Sequence, residues 1–373
     1  LIYIVLALTF GYTMIIAETT LGRMTKKSPV GAFHTFAKTK FASFSGWINA
    51  IIPILIVPYY SVIGGWVIKY LFEYLKGDAK LLATDTYFPN FISNGVSTEI
   101  CFILFTFFTH AIIYAGVQNG IERVSKFMMP VLVVLSVIIA GYSISRPGAF
   151  EGVKYFLIPN FDNFSWMTVV SAMGQMFYSL SIAMGILITF GSYMKKDVSI
   201  EGSTENVEIF DTAIAIMAGL MIIPAVFSFS GGDMETLKAG PSLMFITIPK
   251  VFASMGLGTG IGIIFFLLVL FAAITSSIAL TESAVSTFQD ELHWSRKKST
   301  IILGIIMIGL GTLSCLGYGP LSNVTIIGMQ FLDFFDFLTN SVMMPIAAIA
   351  ICIFVSRVVG LEKVEAEITK DGN

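Results

Sequence analysis

Residues 251–281 read VFASMGLGTGIGIIFFLLVLFAAITSSIALT and contain no Asp, Glu, Lys or Arg. About 20 apolar residues in a helix cross a bilayer core. A helix packed on a soluble core shows a charged face every turn or two. This stretch shows none, so it is read as a membrane span. Eight further charge-free stretches repeat the pattern: 1–17, 41–68, 100–121, 127–145, 164–194, 212–232, 299–332 and 337–356. The alternating ten-residue strands of a membrane β-barrel are absent. The expected fold is all-α and polytopic, one integral membrane domain over 1–373. Its nine spans are placed at about 1–20, 45–75, 98–118, 122–145, 166–194, 207–231, 257–290, 299–317 and 324–356.

Composition supports this reading. Of 373 residues, 55% are hydrophobic and 12% charged, against about a quarter charged in soluble domains. The net charge of −2 comes without a basic tail, which argues against a nucleic-acid partner. Cys101, Cys315 and Cys352 all sit in apolar stretches, so neither a disulfide framework nor a metal cluster is expected. His34, His110 and His293 are scattered. No phosphate-binding glycine loop and no nucleophile elbow occur, which disfavours an ATP-driven pump and leaves no catalytic residues to name.

Basic residues orient the spans. Alternate loops carry 15 Lys and Arg on one side and 7 on the other, accounting for all 22. The richer side, with Arg23, Lys195, Arg296, Lys297 and Lys298 among its members, is expected to be cytoplasmic. The poorer side includes Lys238 in a glycine- and proline-broken loop, where 243–248 suggests a short helix on the outer face.

Four features carry chemistry. Residues 174–185 place Gln175, Tyr178, Ser179 and Ser181 between Gly174 and Gly185 at mid-membrane. An interrupted helix there would free carbonyls to coordinate a cation or ammonium. Packing through small residues is the competing reading. Ala272, Thr275 and Ser276 share one helix face, two hydroxyls beside a carbonyl, which suits an alkali cation. Back-bonding of the hydroxyls to the preceding turn is the alternative. Acids lie in or near spans: Glu18, Asp211, Glu282, Asp290, Asp333 and Asp336. Finally, Pro58-Tyr59-Tyr60 puts a kink and a hydroxyl in the second span.

Taken in order, several motifs resemble the neurotransmitter:sodium symporter family, especially its bacterial members. They are Glu18-Thr-Thr-Leu-Gly22-Arg23, Tyr59-Tyr60, Gly120 through Pro130, Gly174 through Gly185, Thr275-Ser276-Ser277 and Gln289-Asp290-Glu291-Leu292. The resemblance implies an inverted-repeat bundle of the bacterial leucine transporter type, with a broken helix at about 167–194. It also implies that Leu1 falls at the start of the family's second span and that the chain ends after the tenth.

Roles follow from the resemblance residue by residue. Sodium ligands are expected at Ser179, Asp211, the Ala272 carbonyl, Thr275 and Ser276. Asp211 stands where the family usually has asparagine. Ala215 stands where chloride-dependent members have serine and some chloride-independent members glutamate. Asp211 is therefore expected to supply the negative charge, making chloride unnecessary. Substrate contacts are expected from Ile56, Tyr60, Ile63, Tyr178, Ser179, Ser181, Met184, Ser276 and Leu280. Outer gating falls to Asp336, with Tyr178 as lid, and Gln175 is grouped with the gates. Inner gating falls to Asp290 and Tyr193. The implied function is sodium-coupled symport of an amino acid or related small amine across the plasma membrane, with the bilayer as environment and a homodimer as one admissible assembly. A channel-like protein or a non-transporting fragment is the alternative.

Overall fold

The computed structural model describes residues 1–233 and 240–371, and Lys238 lies outside them. Among the described residues the only strand-like pairing is an isolated bridge between Ile326 and Met329. All other regular structure is helical, because only helices satisfy every backbone group within one segment in lipid.

Helix α1 (Ile2–Thr25) is followed by α2 (Pro29–Phe36) and the long α3 (Lys40–Lys76). Then come α4 (Gly95–Tyr114), α5 (Val117–Ile144) and α6 (Ala149–Leu157). Next are α7 (Trp166–Ser179), α8 (Ile186–Tyr193) and α9 (Ile200–Ser230). Helices α10 (Leu243–Ala253), α11 (Gly258–Leu292), α12 (Arg296–Leu316), α13 (Phe331–Val359) and α14 (Leu361–Ile368) complete the chain. Among the described residues, eight of these helices are long and apolar enough to cross a membrane. In the stretch 166–194, two shorter helices, α7 and α8, meet at an interruption.

Helix α3 forms the spine. It packs against α11, α4, α12 and α2. Pro53 and Pro58 both lie inside it and are buried, without ending the helix. At one end, Trp66, Tyr70, Phe88, Phe245 and Phe266 form an aromatic cluster. The Phe88 and Phe245 rings stack with centroids 5.1 Å apart. The Tyr70 hydroxyl donates to the Phe245 carbonyl at 2.7 Å. That cluster anchors α10, the helix expected around 243–248, onto the bundle.

Helices α1 and α8 approach backbone to backbone. A Cβ on Gly22 would lie 2.0 Å from the Ile188 carbonyl oxygen. One on Gly191 would lie 2.4 Å from that of Thr19. Just beyond this crossing, Arg23 is 1% exposed. Its Nε donates to Glu367 Oε1 at 3.0 Å and its Nη1 to the Val198 carbonyl at 2.8 Å. Helix α14 is thereby pinned to the end of α1 and to the link between α8 and α9.

Candidate functional site at the broken helix

Helix α7 stops at Ser179 and α8 begins at Ile186. Between them Ser181 (φ 57°), Ala183 (φ 59°) and Gly185 (φ 72°) take left-handed conformations. For Ser and Ala that conformation costs about 1–3 kcal/mol each, so the surroundings must hold it. The Ile182 N–H reaches back to the Phe177 carbonyl at 2.9 Å. The Ala183 N–H donates to Glu18 Oε1 at 2.8 Å. Glu18 is fully buried, and its Oε2 has no hydrogen-bond partner among the described residues. A Cβ on Gly185 would meet the Asn49 carbonyl at 2.8 Å and the Ser283 hydroxyl at 3.0 Å. Gly185 is thus demanded twice, by φ and by space. Gly174, the other flanking glycine, lies within α7 and is exposed, with nothing near its absent Cβ.

Three helices bring oxygens together at the end of α7. The Ser179 hydroxyl donates to Asp211 of α9, 2.8 and 2.9 Å from the two carboxylate oxygens. The Tyr3 hydroxyl of α1 donates to Asp211 Oδ2 at 2.6 Å. The result is a partly buried carboxylate ringed by hydroxyls, a hard-oxygen set suited to an alkali cation. On α11, the Thr275 hydroxyl lies 3.0 Å from both the Phe271 and Ala272 carbonyls. That is the back-bonded arrangement. It leaves the hydroxyl oxygen's lone pairs directed away from the helix. Ser276 is exposed beside Thr275 and interacts with the Tyr60 hydroxyl.

The remaining residues divide between an apolar wall and two ends. Ile56, Tyr60 and Ile63 share one face of α3, at intervals of four and three residues. Ile56, Met184 and Leu280 are buried, whereas Ser181 is partly exposed. Tyr178 stands within electrostatic reach of Tyr59, Tyr60 and Asp336. Asp336 is exposed, accepts from Tyr59 at 3.2 Å and takes the Asn340 amide. Gln175 is exposed on α7.

At the basic end, Tyr193 does not bond Asp290. Its hydroxyl donates to Glu282 Oε1 at 2.6 Å. Arg296 grips the same carboxylate through Nη1 at 2.9 Å and Nη2 at 2.5 Å. Asp290 instead accepts from the Ser28 backbone N–H.

Sequence reasoning named Glu18 and Glu282 as acids in or near spans, Glu18 also at the head of a family motif, but gave neither a role and passed over the Arg296 pairing. For Glu18 the signal was present. It follows 17 uncharged residues in the first span, where an ionisable group is worth a functional hypothesis by default.

The sequence profile of the Sodium:neurotransmitter symporter family matches residues 90–371, about three quarters of the chain. An uncharacterized sodium-dependent transporter of Bacillus subtilis, YhdH, is 33% identical over 376 residues, covering 100% of this chain and 82% of its own. A Haemophilus influenzae protein, also described as an uncharacterized sodium-dependent transporter, is 31% identical over 386 residues, covering 99% of this chain and 83% of its own. The crystal structure of MhsT in complex with L-phenylalanine superposes with a TM-score of 0.89 at 36% identity, covering 98% of this chain and 83% of that one. The likenesses favour a transporter over the channel-like or non-transporting alternative. With its apolar spans, its broken helix and these matches, the chain belongs to the sodium:neurotransmitter symporter family.

Proposed function

We propose that this protein carries an amino acid or a related small amine together with sodium ions across the plasma membrane by alternating access. The observation that supports this most is the break at 180–185, with Ser179 and Asp211 at its edge and Glu18 holding its backbone. Backbone freed from a helix persists at membrane depth only where it lines a cavity or is buried in protein. Such a break serves a carrier by offering polar backbone to a charged ligand.

In this reading one sodium ion is held by Ser179 and Asp211. A second is held by the Ala272 carbonyl, Thr275 and Ser276. The Tyr60 hydroxyl bonds the substrate carboxylate, and carbonyls at Tyr178 and Ser179 with the Ser181 hydroxyl hold the ammonium. Ile56, Ile63, Met184 and Leu280 wrap the side chain. Met184 is unbranched and adaptable, so the pocket tolerates more than one shape. Asp336 and Tyr178 close the outer side, with Gln175 close by, and Asp290 and Tyr193 the inner. Each sodium entering down the membrane potential contributes about 2.3 kcal/mol per 100 mV. Asp211 supplies the charge that a chloride ion would otherwise bring, so transport is chloride-independent. MhsT, whose structure was solved with L-phenylalanine, gives the amino-acid reading a precedent.

The test is uptake into proteoliposomes holding the full chain. Labelled amino acids should accumulate only under an inward sodium gradient and should leave when the gradient is collapsed. Accumulation that ignores sodium, or unitary currents without saturation, overturns the proposal. Replacing chloride by gluconate should leave uptake unchanged.

A further inference from the structure

On the flank of the bundle, α4 and α12 run antiparallel. Thr312 meets Glu99 at one end at 2.6 Å, and Arg296 Nε meets the Ile113 carbonyl at the other at 2.8 Å. Between these ties the pair carries a groove of about 440 Å³ on its exposed face. Ile103, Phe107, Ala111 and Tyr114 line one side, with Ile301 and Ile305 on the other. Gly304 sets the width, since a Cβ there would already be 3.2 Å from the His110 ring. At the floor, the Thr106 hydroxyl is buried with no hydrogen-bond partner among the described residues, a ready donor for an ester carbonyl.

The mouth of the groove is basic. Tyr114 lies there, and the Lys297 ammonium sits 5.6 Å from its ring centroid. Lys298 is next in sequence, over the Trp294 ring at 4.2 Å. Both lysines are exposed, and Lys297 makes no ion pair among the described residues. Glu282 is paired with Arg296, and Glu122 with Lys126 at 2.6 Å. The loop-by-loop charge count puts this end in the cytoplasmic leaflet.

We propose that the α4–α12 groove is a binding site for one anionic phospholipid, its acyl chain between Phe107 and Ile305 and its phosphate on Lys297. The apolar trough suits any acyl chain, and the unpaired lysine at its mouth selects the negatively charged headgroup. A bound lipid would bridge α4 to the basic start of α12, next to the Arg296–Glu282 pair. This site stands apart from the broken helix and does not depend on what is transported.

Native mass spectrometry of the delipidated full chain tests it, titrating in phosphatidylglycerol or phosphatidylcholine. The wild type should retain one phosphatidylglycerol about fivefold more tightly than phosphatidylcholine, the preference expected of one lysine at a membrane surface. Lys297→Gln should lose that preference while still binding lipid. Ala111→Trp, which fills the trough from an exposed position, should weaken both lipids and leave the thermal midpoint unchanged. Equal binding of the two lipids by the wild type overturns the proposal. So does a Lys297→Gln protein with undiminished preference, or a dimer mass in the wild type that Ala111→Trp removes, which would assign the groove to a second copy of the chain.

Discussion

Two helices offer oxygens in this protein, and they do so in opposite ways. The α7–α8 pair is broken, and the break is held by a buried carboxylate from α1. Helix α11 runs unbroken for 35 residues, and its Thr275 is back-bonded within its own turn. The first arrangement exposes backbone and depends on tertiary contacts. The second presents side chains and depends on little beyond its own helix. The difference predicts that substitutions around the break will act on folding and transport together. Substitutions on α11 should act on ion affinity alone.

The largest effect is expected from Gly185→Ala. A left-handed φ and a 2.8 Å approach to the Asn49 carbonyl both oppose a Cβ. A loss of about 3 kcal/mol or more is expected, seen as a lowered thermal midpoint and absent uptake. Normal uptake by this variant would break the comparison. Glu18→Ala follows. It strands the Ala183 N–H in a dry site at about 1–3 kcal/mol. Glu18→Gln keeps an acceptor and should recover most of the stability, a contrast readable by thermal melts of the two proteins side by side.

Asp211→Asn removes a charge but retains an oxygen. On the proposed reading, the sodium concentration for half-maximal uptake rises by roughly tenfold, about 1.4 kcal/mol. Uptake should also become stimulated by added chloride. Thr275→Val, which keeps the shape and deletes the hydroxyl, should weaken sodium dependence while leaving the thermal midpoint within about 0.5 kcal/mol of wild type. The smallest effect belongs to Gly174→Ala. Gly174 sits in α7 with open space around it, so alanine should stabilise the helix by about 0.5–1 kcal/mol. The two glycines that look alike in the sequence should thus behave oppositely.

This contrast shows where the sequence could be read and where it could not. Charge-free stretches declare membrane helices because lipid tolerates no exposed charge, and those stretches are local. The break is legible only in part. Gly185 signals it, but Ala183 is an ordinary helix former driven left-handed by Glu18, a partner 165 positions away. The link from Tyr3 to Asp211 spans 208 positions, and only packing of the first span on the fifth and sixth brings them together. At the basic end, the sequence groups Tyr193 with Asp290, and the hydroxyl's bond to Glu282 was not legible in it for the same reason. Glu282 and Asp290 lie two turns apart on one helix, and the sequence does not say which of them faces α8. Arg296, across a short turn, settles the matter by occupying Glu282.

The glycine contact between α1 and α8 bears on how such a molecule can move. With Gly22 and Gly191 touching carbonyls of the opposite helix, the two cannot roll or slip past each other without collision. Arg23 adds a rivet at the end, through Val198 and Glu367. The inner half of the broken span is therefore no independent flap. On the proposed alternating-access reading it would turn as one lever with α1, hinged at 180–185, with α14 carried along through Arg23 and Glu367.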